Sequence, residues 1–169
     1  MKKFKIFSLI LIALTILLTG LLVKTIKAQT TNSFLTGDIT TVANITSGTS
    51  GWQDPVSGNP GEIIEFRVYA QNQTPAVTAT GVTVTASLPS TASTSPSASG
   101  TVSASNFPSV SDSATVNITG GSSQSFTYLP GHVRIFSPSC LSGCPGPDTV
   151  TSSGVSIGDL APGESAQVL

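Results

Sequence analysis

The sequence predicts an all-β chain, an antiparallel sandwich or barrel, and three observations carry that expectation. Apolar and polar residues alternate at a period of two in several segments. Gly- and Pro-rich turn chemistry separates those segments at short intervals. After residue 28 no segment carries a convincing period of 3.6.

Taken in order, "ITTVANIT" (39–46) is the first strand candidate. In "EIIEFRVYAQN" the set Ile64, Phe66, Val68 and Ala70 falls on one face, with Ile63, Glu65, Arg67 and Tyr69 opposite. In "TGVTVTASLP" the apolar set is Val82, Val84, Ala86 and Leu88, and "SATVNIT" repeats the scheme with Ala114, Val116 and Ile118. Such half-buried strands turn apolar residues inward and Thr outward. "SFTYL" (125–129), "HVRIF" (132–136) and "GVSIGDL" (154–160) complete the candidates. The low-complexity stretch from Pro89 to Ser113 reads either as a flexible loop or as weak edge strands around "TVSAS" and "NFPSV", and the strands are favoured because a structureless loop of that length is uncommon in a compact domain.

Residues 1–28 differ from the rest. Lys2, Lys3 and Lys5 precede the apolar run Ile6 to Val23, and Lys24, Lys27 and "AQTT" follow. A basic start, an apolar stretch and a small residue before a polar segment describe a secretory signal cut after Ala28. The run is also long enough to be an uncleaved anchor over residues 6–23. Either way the remainder is exported, since the leading lysines favour an inside N-terminus. The expected organisation is therefore a leader over 1–28, a linker over 29–36 and one domain over 37–169, at the cell surface or secreted.

After Lys27 the only basic residues are Arg67 and Arg134, against all eight acidic residues, a net charge of −6. Two arginines make no footprint for a phosphate backbone, so nucleic acid is not an expected partner. An anionic membrane surface is disfavoured for the same reason, leaving the N-terminal segment as the membrane contact if it is uncleaved. The absence of lysine from the exported part also removes any Lys–Asn or Lys–Asp amide cross-link.

With the strands and turns in place, "NPGEIIEFRVYAQNQTPAVTATGVTVTASLP" resembles the surface repeat catalogued as domain of unknown function 11, found in exported bacterial and archaeal proteins. The matching phrases are Pro60-Gly61-Glu62, Asn72, Val82 to Pro89, then "TYLPG" and "LAPGES", in that order over residues 37–169. The resemblance implies an immunoglobulin-like β-sandwich with a structural, adhesive or spacer role, one module among several in a surface protein, and no chemistry. The family's acid before Leu-Pro is replaced by Ala86-Ser87, so a metal site carried by that acid is not expected. In such modules the Leu-x-Pro-Gly-Glu-Ser turn leads into the final strand, of which "AQVL" is only the opening. The expectation is a final strand that is truncated here and further modules or an anchor downstream. The alternative is an open edge that accepts a strand from a second subunit.

Cys140 and Cys144, in the turn-rich "PSCLSGCPGPD", are expected to form a disulfide in an oxidising compartment. Free thiols and a metal site with His132 are the alternatives, the latter lacking a fourth ligand. His132 is the sole candidate base for hydrolysis, but no Gly-x-Ser-x-Gly elbow accompanies it. The dispersed acids show no calcium-loop pattern and read as solvated turn residues. No cofactor and no catalytic residue is expected. Asn44, Asn72 and Asn117 each begin an Asn-x-Ser/Thr triplet. Trp52 either caps one end of the core or, in the binding alternative, contacts a glycan or protein together with the 89–113 segment.

Overall fold

The computed structural model describes residues 32–49 and 51–169. The expected leader lies outside the described residues. Ten strands follow: β1 (Thr40–Asn44), β2 (Val56–Gly58), β3 (Ile64–Gln71), β4 (Ala79–Ser87), β5 (Ser97–Ala104), β6 (Phe107–Ile118), β7 (Arg134–Ser137), β8 (Cys140–Pro145), β9 (Val155–Leu160) and β10 (Ser165–Val168). They form two five-stranded sheets, one in the order β1-β3-β10-β7-β8 and the other β2-β6-β5-β4-β9. All pairings are antiparallel except β2 with β6. Among the described residues there is no helix long and apolar enough to cross a membrane.

The alternation read from the sequence places the core. Val68, Ala70, Ala166 and Val168 of the first sheet pack against Val82, Val84, Val102, Val155 and Leu160 of the second, all buried. A smaller cluster of Val42, Val56, Ala114 and Val116 closes the end near Phe66 and Phe126. The segment Gln53–Gly58 bridges the edges of the two sheets. Gln53 exchanges backbone hydrogen bonds with Val42 of β1 at 2.8 and 3.0 Å, and Val56–Gly58 then pairs with Val116–Ile118. The Asp112 carboxylate accepts from the Thr40 N–H at 3.0 Å. The β1 edge is thereby occupied by its own chain, one of the ways natural sheets avoid edge-to-edge pairing.

Four expectations need correction. The low-complexity stretch supplies β5, the middle strand of its sheet, and part of β6, rather than weak edges. Its inward positions are Ala98, Gly100 and Val102, small residues that let the sheets approach closely. A Cβ on Gly100 would stand 2.5 Å from a Val68 methyl and 2.6 Å from Thr40 Oγ1. The Cys140–Pro145 region, expected as a loop, is strand β8 at the sheet edge. "SFTYL" joins neither sheet as a strand. Its alternation is real in burial, for Phe126 meets Phe66 edge-on at 5.1 Å, but side-chain contacts replace a backbone ladder. Finally, residues 32–36, expected in the linker, belong to the domain. Phe34 is buried, bridges to Asn72 and packs on the Phe107 ring at 4.9 Å.

The last strand is not at an edge. β10 lies between β3 and β7, opposite Val68–Gln71 on one side and Ile135–Phe136 on the other. Open-edge strand exchange would therefore have to occur elsewhere than at β10 itself.

Two turns of the form x-Pro-Gly-Glu, 59–62 and 161–164, sit at opposite ends of β3 and are built alike. In each the glycine has positive φ, +86° at Gly61 and +79° at Gly163, as a type II turn demands at its third position. In each the glutamate turns back to accept the first residue's N–H, from Asn59 at 2.7 Å and from Ala161 at 2.8 Å. A buried asparagine anchors each one. Asn44 Nδ2 donates to Glu62 and to the Ser57 carbonyl. The Asn72 backbone accepts from Gly163 N–H and donates to the Glu164 carbonyl.

Candidate functional site

The outward face of the first sheet gathers the side chains with the most recognition chemistry. In β3 the inward positions are Val68 and Ala70, so Glu65, Arg67 and Tyr69 point away from the core. The register then aligns neighbours across the sheet. Tyr69 stands opposite Gln167, which stands opposite Phe136, giving one row. In the next row Thr41 faces Arg67, and Arg134 exchanges backbone hydrogen bonds with Leu169 at 3.0 and 2.9 Å.

Trp52 comes to this face from the segment that crosses the sheet edges. The Arg67 guanidinium lies 5.0 Å from the Trp52 ring centroid and 5.9 Å from that of Tyr69, within cation–π range. Arg67 Nε donates to Thr41 Oγ1 at 3.1 Å. Burial, partly offset by Tyr69, holds the guanidinium pKa below its usual value. Burial likewise raises the Glu65 carboxyl, with no neighbouring charge contributing. These two opposite charges on one face thus leave each other uncompensated.

Trp52 is partly exposed and stacked on Arg67 at the outward face. The 89–113 segment, its partner in the binding alternative, lies largely in the other sheet, so the two do not form one surface. Cys140 and Cys144 are joined as a disulfide with Cα atoms 5.9 Å apart, spending both thiols on each other. Gly143, between the two cysteines, lies against the Phe136 ring, from which a Cβ there would stand 2.6 Å away. Leu141, within the same bridge, is 84% exposed.

His132 sits at the Leu-Pro-Gly turn near Asp148. The Asp148 Oδ1 already accepts from the Tyr128 hydroxyl at 2.8 Å and from Gly131 N–H at 2.7 Å. Those bonds lower the Asp148 pKa, the backbone one most, with a smaller contribution from His132. Burial and the same carboxylate push the Tyr128 pKa up to about 12. The cluster ties the 128–132 turn to the 144–148 loop. Of the glycosylation triplets, Asn44 and Asn72 are 1% and 0% exposed, whereas Asn117 is exposed.

Sequence reasoning singled out Trp52 but not Arg67, Arg134, Gln167 or Phe136. Period-two alternation already put Arg67 and Tyr69 on the outward face. What the sequence does not contain is the register that sets Arg134 and Phe136 two strands away on the same face. No family model, no curated protein and no solved structure matches this chain.

Proposed function

We propose that the chain is a non-catalytic, exported cell-surface module of the immunoglobulin-like kind, a spacer or adhesin part within a longer surface assembly. The observation that carries this reading is strand direction. β1 and β10 both run antiparallel to β3, and so parallel to each other. The chain enters the sandwich near Asn72, where Phe34 bridges, and β10 heads toward the Ile64 end. A module entered at one end and left toward the other can be strung head to tail. The two self-locked x-Pro-Gly-Glu turns stiffen both of those ends, and the Ser- and Thr-rich outer strands suit a hydrated surface. The ordered turn phrases resembling the surface repeat point the same way.

Export and display are tested by labelling intact producing cells with an antibody raised against the Cys140–Asp148 segment, which holds the exposed Leu141. Labelling of unbroken cells is expected; labelling only after lysis contradicts the reading. Strand exchange at an open edge remains the minor alternative, and concentration-dependent dimers in solution would favour it.

A further inference from the structure

We infer that the outward face of the β1-β3-β10-β7-β8 sheet binds an anionic polysaccharide, with Arg67 and Arg134 holding acidic groups and Tyr69, Phe136 and Trp52 flanking the sugar rings. The inference deepens the surface-module reading by naming what such a module touches. Its starting point is charge. In residues 29–169 there are only two cations, and both fall on one face of one sheet. Continuing the β3–β10 register by one residue sets Arg67 opposite Leu169, whose backbone is bonded to Arg134. The two guanidinium-bearing residues are thus two strands apart, about 10 Å between backbones by ordinary strand spacing.

Among the described residues neither cation is paired with an acid. Arg67 Nε is engaged by Thr41, and its charged plane is laid against aromatic rings. Arg134 Nη1 donates to a neighbouring backbone carbonyl, that of Val133. Guanidinium groups form their strongest hydrogen bonds with carboxylate, sulfate or phosphate. Beside the arginine row, two residues along each strand on the same face, runs the row Tyr69–Gln167–Phe136, two ring faces about an amide. Rings offer apolar surface for the faces of sugars, and Gln167 both donates and accepts toward hydroxyls. Nonspecific attraction does not explain such binding, because the domain's net charge of −6 repels a polyanion as a whole.

The full chain is assayed by affinity electrophoresis through gels containing polygalacturonate, dextran sulfate or neutral dextran. Retardation by at least one anionic polymer, and not by dextran, is expected. Retardation by polygalacturonate alone assigns carboxylate recognition; retardation by dextran sulfate alone assigns sulfate. Arg134→Gln, an exposed position, is expected to weaken binding about tenfold, the scale of one lost charge-assisted bond. Arg67→Gln should weaken it at least as much. Glu65→Gln, which removes the one acid from the outward face of β3, should tighten it. Binding that survives both arginine substitutions overturns the inference. So does retardation by neutral dextran that Trp52→Ala alone abolishes. A protein that melts cooperatively, labels on intact cells and ignores both anionic polymers also overturns it, while leaving the surface-module reading in place.

Discussion

At the scale of single residues, asparagines organise this domain more than its aromatics do. Asn72 is fully buried, and its side chain is satisfied three times: Nδ2 donates to the Val77 and Leu160 carbonyls at 2.8 and 2.9 Å, and Oδ1 accepts from Thr74 N–H at 2.9 Å. Removing the amide strands those partners in the interior. Asn72→Ala is expected to cost about 3 kcal/mol or more, measured by urea unfolding. Period-two patterning shows the strand Ile64–Gln71 but not that Asn72, the residue just after it, is a hub, because a hub is defined by distant carbonyls. Glu65 makes the opposite case. Its pKa is raised in the folded protein by burial, so the folded state holds the proton more tightly than the unfolded chain does. The ionised side chain therefore penalises folding at neutral pH, and the penalty disappears as pH falls through the folded pKa toward and below the ordinary carboxylate value. Glu65→Gln should raise the melting temperature at pH 7 and leave it nearly unchanged at pH 4. A larger gain at pH 4 than at pH 7 contradicts that account.

At the scale of elements, strands with large β-branched inward residues were legible and strands with small ones were not. β3 and β4 follow the alternation read from Ile64–Ala70 and Val82–Ala86. β5 reads from sequence as an edge because Ser, Ala and Gly carry little hydrophobic contrast. Its inner residues are small because the opposing sheet leaves no room for larger ones: Gly100 lies against Val68 and Thr40. Gly100→Ala is thus an overpacking substitution, with an expected cost of about 1–3 kcal/mol. A neutral result by thermal or chemical unfolding shows instead that the sheets can separate locally. β8 was hidden by Cys, Gly and Pro, the residues of a turn, which here occupy an edge strand closed by a disulfide. The "SFTYL" segment errs the other way: Phe126 and Tyr128 do alternate inward, but Phe66 and Asp148 hold them without strand pairing. The outward-face site was half legible for a related reason. Which residues share a face follows from the period within one strand; which rows they share follows from pairing across strands.

At the scale of the whole molecule, strand direction and anchoring act together. The first and last strands run the same way on either side of β3, so tension applied through the chain shears β1 and β10 along their hydrogen-bond ladders rather than peeling them off. The turns at both ends of β3 are locked by Glu62 and Glu164, and Gln53–Gly58 ties the two sheet edges into one body. The most direct measurement is to pull single molecules by handles placed at Asn32 and Leu169. One cooperative rupture that releases the whole domain is expected, weakened when Asn72 is replaced by Ala. Stepwise release at low force, with β10 or the β7–β8 hairpin detaching before the rest, would contradict a load-bearing spacer.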